Sequence, residues 1–209
     1  MGIASIDALF DVQVIEDGVL SVLYEKTGSD SLEYLWWTAD SGWQGPIQVR
    51  STVSYVPKLT VVDDDIAVFT EDDDGHPVYY LAGEDFAVAH NVALSGAQYD
   101  LSAGGVAYGA DDVLYYAFSS SSLDYLTENY DRDLKLATYD GNSWSTETIF
   151  SNDFPFGEGS DYEHYYYPKV VQECSDGTFD EDGVNIFAGA TESLGAGTIK
   201  YYRYTGAGE

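Results

Sequence analysis

The sequence predicts an all-β chain built from four copies of a four-stranded antiparallel unit, and three observations predict it. Residues 12–20, 59–67 and 106–114 align without gaps, and their starts are spaced by 47 residues. Each copy alternates apolar and polar residues on both sides of an acidic turn: Asp17-Gly18, Asp63-Asp64-Asp65 and Asp111-Asp112. Alternation of period two is the strand signature, and Asp-Gly or a similar pair suits a tight hairpin. No stretch of useful length carries the 3.6-residue period of an amphipathic helix.

The elements follow in order. In each of the first three copies the acidic turn joins a first and a second strand. A fourth copy begins near Val170, where Tyr167-Pro168-Lys169-Val170 echoes Tyr55-Val56-Pro57-Lys58-Leu59. Its turn is stretched, and its second strand is expected at 184–187. Third strands are expected at 32–37, 77–81, 133–139 and 198–204, and fourth strands at 43–49, 86–92 and 144–150. Four antiparallel strands in about 47 residues is the size of a β-propeller blade. A β-sandwich, which also uses short strands and regular turns, is the runner-up. The expected organisation is one propeller domain with blades at 8–50, 55–95, 100–151 and 167–209. The last blade lacks a fourth strand, which residues 2–6 would supply to close the ring; the rival is a partial ring completed by another chain.

Charge narrows the function. The chain has 37 acidic and 8 basic residues among 209, a net charge of −29. That field has the wrong sign for phosphate neutralisation, so no nucleic-acid partner is expected, and adsorption to an anionic membrane is disfavoured. An aromatic fraction of 15% argues against an acidic disordered chain. The acids run along the whole length, and self-repulsion at this charge destabilises a compact state in dilute salt. Molar salt shortens the Debye length to ~3 Å and removes most of that cost. The pattern resembles proteins of extreme halophiles. Acidic clusters such as Asp63-Asp64-Asp65 and Asp72-Asp73-Asp74 leave a structural cation open; no other cofactor is expected. Cys174 is alone, which excludes an internal disulfide and a thiolate metal site. The N-terminus lacks the basic-then-apolar pattern of a signal peptide, and no apolar run approaches the ~18 residues of a membrane helix. Synthesis in the cytoplasm without membrane insertion is therefore expected.

Residues 133–149, with Tyr139-Asp140-Gly141-Asn142-Ser143-Trp144 at their centre, resemble the repeats of sialidase-like, Asp-box (BNR-type) β-propellers. Those blades join strands three and four through a turn with Asp, Gly and a following Trp. Variants stand at Asp40-Ser41-Gly42-Trp43 and Tyr204-Thr205-Gly206. In this turn Asp accepts backbone N–H bonds and Gly allows positive φ. Trp43 and Trp144 are expected to pack between blades. The resemblance implies a propeller but not an activity, because the family holds sialidases, other glycosidases and non-catalytic lectins. Sialidase-type sites use three arginines and a Tyr–Glu pair. The chain has only Arg50, Arg132 and Arg203, at non-equivalent places in the repeat.

No residue pattern specifies catalysis. Glycosidases need two carboxylates at a defined separation, which 37 acids satisfy by chance. His76, His90 and His164 show no metal-ligand spacing. The informative segments are insertions at 119–131, 151–164 and 192–197, expected as long loops crowded on one face. Long loops on a rigid scaffold are the usual place for recognition. The candidate ligand-binding residues are Tyr125, Tyr130, Arg132, Phe154, Phe156, Tyr162, His164 and Tyr165; the competing reading is that they pack the loops down as a secondary core. The expectation is a non-enzymatic recognition or structural module that binds a glycan or a surface protein. A virion decoration or host-adsorption protein of a haloarchaeal virus, with virion or homo-oligomer partners, is one setting consistent with it. A sialidase-like glycoside hydrolase and a cytoplasmic interaction scaffold are the alternatives.

Overall fold

The computed structural model describes residues 6–15, 18–52, 57–74, 76–92, 99–108, 113–124, 129–155, 163–175, 178–192 and 198–204. Four antiparallel sheets follow one another along the chain. The first holds β1 (Ile6–Ile15), β2 (Val19–Lys26), β3 (Ser31–Thr38) and β4 (Gly42–Arg50). The second holds β5 (Lys58–Val62), β6 (Asp65–Glu71), β7 (Pro77–Leu81) and β8 (His90–Asn91). The third holds β9 (Tyr99–Tyr108), β10 (Leu114–Asp124), β11 (Asn129–Tyr139) and β12 (Trp144–Pro155). The last has three strands, β13 (Glu163–Ser175), β14 (Thr178–Glu192) and β15 (Thr198–Tyr204). Among the described residues there is no α-helix. Residues 2–5, most of the segment expected to close the last sheet, lie outside the described residues, and Ile6 pairs with Lys26 in the first sheet.

The strands β1–β8 lie in one compact unit and β9–β15 in another. In the first unit, Leu23, Leu32, Tyr34 and Val49 of the first sheet pack on Leu59, Val68 and Phe86 of the second. Polar atoms stitch the same contact. The Leu59 N–H donates to Asp11 Oδ2 (2.9 Å), and Gln13 Nε2 donates to the Leu59 carbonyl (2.7 Å). In the second unit, Tyr115, Ala117, Leu134 and Leu136 of the third sheet pack on Val170, Val184, Ile186 and Ala188 of the last. Tyr115 meets Tyr204 edge-on at 5.6 Å, and Phe150 meets Tyr202 at 6.1 Å.

The repeated hairpins close as the alternation predicts. Ile15 pairs with Val19 around Gly18, and Val62 pairs with Asp65. Asp63 and Asp64 both take positive φ, 49° and 64°, the backbone of a type I′ turn whose twist matches the flanking strands. Two expectations need correction. The strand expected at 86–92 is reduced to His90–Asn91. A 3-10 turn, Ala82–Glu84, leads instead into Asp85 and Phe86 at φ 53° and 55°, and drops the Phe86 ring into the core against Tyr34. Burying such a ring is worth ~1.5–3 kcal/mol, enough to hold an unfavourable backbone. The stretched turn expected after Val170 is largely paired strand: Cys174 opposes Phe179 and Ser175 opposes Thr178.

Candidate functional site

Where the structure describes them, at 119–124, 129–131, 151–155, 163–164 and 192, the segments expected as recognition loops are extensions of strands; 125–128, 156–162 and 193–197 lie outside the described residues. The β10–β11 ladder runs without a register break from Leu114–Tyr139 to Asp124–Asn129, and β12 follows it out to Pro155 opposite Asn129. In the last sheet, β13 and β14 pair out to Glu163 opposite Glu192. Ser and Thr, although common in loops, are compatible with a ladder whose hydrogen bonds are already templated by the inner strands.

Register assigns each extension two faces, because paired residues and i, i+2 neighbours share a face. One face of the third sheet carries Tyr115, Ala117, Leu134 and Leu136, its contribution to the core. Beyond Leu134, that face continues with the row Ser121, Arg132, Asn152 and then the row Leu123, Tyr130, Phe154. The opposite face of the extension carries Ser120, Asp133, Ser151, then Ser122, Asp131, Asp153. In the last sheet the core face bears Ile186 and Ala188 and continues with Ala190 opposite Tyr165, then Glu192 opposite Glu163.

The structure accordingly groups the sequence candidates. Tyr130, Arg132 and Phe154 share one face of the third sheet, and Tyr165 stands on the core-side face of the last. His164, opposite Thr191, belongs to the other face of that sheet. Tyr125, Phe156 and Tyr162 lie outside the described residues.

The turn joining β11 and β12 has the expected construction. Asp140 Oδ1 accepts the N–H groups of Ser143 (2.8 Å) and Asn142 (2.9 Å), with Gly141 at φ 84°. Those bonds, that of Ser143 first, hold the Asp140 carboxyl below the ordinary aspartate range. The β3–β4 turn differs: Thr38 Oγ1, not Asp40, accepts the Ser41 N–H (3.1 Å). Trp43 does not join the packing between the first and second sheets. It pairs across the ladder with Trp37 on the first sheet's surface, the two being 42% and 36% exposed. Trp144 is half-buried, its ring 5.1 Å from that of Tyr139.

One cluster escaped the sequence reading, and a second was read only as the acidic run Asp72-Asp73-Asp74, without His76. At the β2–β3 end of the first sheet, Glu33 is 4% exposed. It accepts from the Tyr24 hydroxyl (2.9 Å), from Ser31 (3.4 Å) and from Lys26 Nζ (3.1 Å). Burial, then the Glu33 carboxylate, pushes the Tyr24 phenol up to about 12. This carboxylate is committed to cross-strand partners and is structural. In the turn between β6 and β7, Asp72, Asp74 and His76 each bring one ligand atom within 4.8 Å of the others. The alternate spacing Asp-x-Asp-x-His was the available signal. In a chain with 37 acidic residues, such proximity arises without an ion and assigns none.

No protein-family model and no curated protein sequence matches the chain. Solved structures match it by fold. A family PL25 ulvan lyase bound to a GlcA(1-4)Rha3S unit superposes with TM-score 0.54 at 8% identity, over 93% of this chain and 52% of the lyase. A thermostable family-43 glycoside hydrolase superposes with TM-score 0.52 at 8% identity, over 93% of this chain and 68% of the hydrolase. Drosophila Semaphorin 1a, extracellular domains 1–2, gives TM-score 0.52 at 9% identity, over 93% and 40%. The chain thus spans about half the length of the lyase it matches. At these identities the likeness is one of fold: this is an all-β chain of consecutive antiparallel sheets with propeller-like neighbours.

Proposed function

We propose that this chain is a glycan-recognition module. Its binding face is formed where the third and last sheets run past their shared core. The observation that carries the reading is the register of β10–β12. It sets Tyr130 opposite Phe154 and Arg132 opposite Asn152 on the core-side face, and keeps the aspartates Asp131, Asp133 and Asp153 on the other. The C–H bonds on one side of a pyranose are weakly positive and stack on the negative face of an aromatic ring. Arg and Asn supply directional donors for hydroxyls and carboxylates. Two of the three fold neighbours described above support this reading, the lyase bound to a sugar unit and the glycoside hydrolase. Recognition requires no cofactor. The hydrolase alternative requires two converging carboxylates, and the buried Glu33 is already engaged in cross-strand bonds.

The test is a glycan-array screen in molar KCl with wild-type chain, Tyr130→Ala and Phe154→Ala. Saturable binding that falls about tenfold or more in both variants, with unchanged circular dichroism, is the expected outcome. Absence of binding, or binding equal in all three proteins, overturns the assignment. Release of reducing ends from a bound glycan would establish the hydrolase instead.

A further inference from the structure

We draw no further inference here: the strongest candidate, the apolar row Val14, Leu20, Trp37 and Trp43 across the face of the first sheet opposite the one packed on the second, carries nothing because nothing in the structure shows what covers it.

Discussion

Removing a single hydroxyl, in Tyr24→Phe, probes the best-defined polar network of the first sheet. Tyr24 is 1% exposed and Glu33 4% exposed, and the hydroxyl donates to Glu33 Oε2 at 2.9 Å. A hydrogen bond to a charged group contributes ~1.5–3 kcal/mol, and its loss leaves a buried carboxylate one donor short. The phenol itself adds a pH-dependent contribution, set first by its burial and then by the Glu33 carboxylate. Its rise from 10.0 to about 12 corresponds to a preference of about 2–3 kcal/mol for the protonated form in the fold. Below pH 10 the phenol is protonated whether the chain is folded or not, so this contribution is fully present. Between pH 10 and about 12 the unfolded chain gives up its proton first, and the contribution is lost. Urea unfolding of both proteins, followed by circular dichroism in molar KCl at a series of pH values, reads both effects. The variant should be less stable by ~1.5–3 kcal/mol at neutral pH, and the gap should close as the pH passes from 10 towards 12. A gap under about 0.5 kcal/mol at neutral pH, or one that stays constant through the alkaline range, would refute the reasoning.

Other expectations follow from the same structure. The thermal midpoint should climb as KCl rises from about 0.1 M to about 1 M, because the Debye length falls from ~10 Å to ~3 Å and the repulsion within a chain of charge −29 is screened; a flat salt profile by scanning calorimetry would contradict it. Gly104→Ala should destabilise by ~1–3 kcal/mol or more, since its new Cβ would overlap the Ala117 carbonyl and the Tyr116 ring; chemical denaturation checks it. The Asp140 carboxyl is depressed by the N–H groups of Ser143 and Asn142, so the support it gives the β11–β12 turn is present above its ordinary value and is lost as pH falls through its depressed one. Asp140→Ala should remove that part of the acid dependence, read as chemical-shift change at Trp144.

Much of the architecture was legible because period-two alternation survives in every copy. The 47-residue spacing located the hairpins, and the third strand of the second sheet emerges at Pro77–Leu81. The misreadings share a physical origin. Residues 119–124 look like a loop by composition, but a ladder nucleated by Leu114 to Phe118 carries them forward as strand. Phe86 looks like the start of a strand, but its burial against Tyr34 bends the backbone away from pairing. Trp43 matches the position of a packing residue, yet the face of its sheet that packs on the second sheet is the one bearing Tyr34 and Leu23. The candidate site was legible as a set of residues, not as a surface. Only register separates Tyr165 from His164, one residue apart on opposite faces.

The turns have a consequence for how this chain carries its charge. Asp30, Asp63, Asp64 and Asp85 all occupy left-handed backbone, where glycine would sit with less strain. Each such aspartate adds two separable penalties, a steric one fixed by the Cβ and an electrostatic one fixed by the carboxylate. Brine relieves the second and leaves the first untouched. The hairpin at Asp63-Asp64 is in that sense a spring whose tension no ionic medium releases. Asparagine at either position would remove the charge and keep the strain, whereas glycine would remove both.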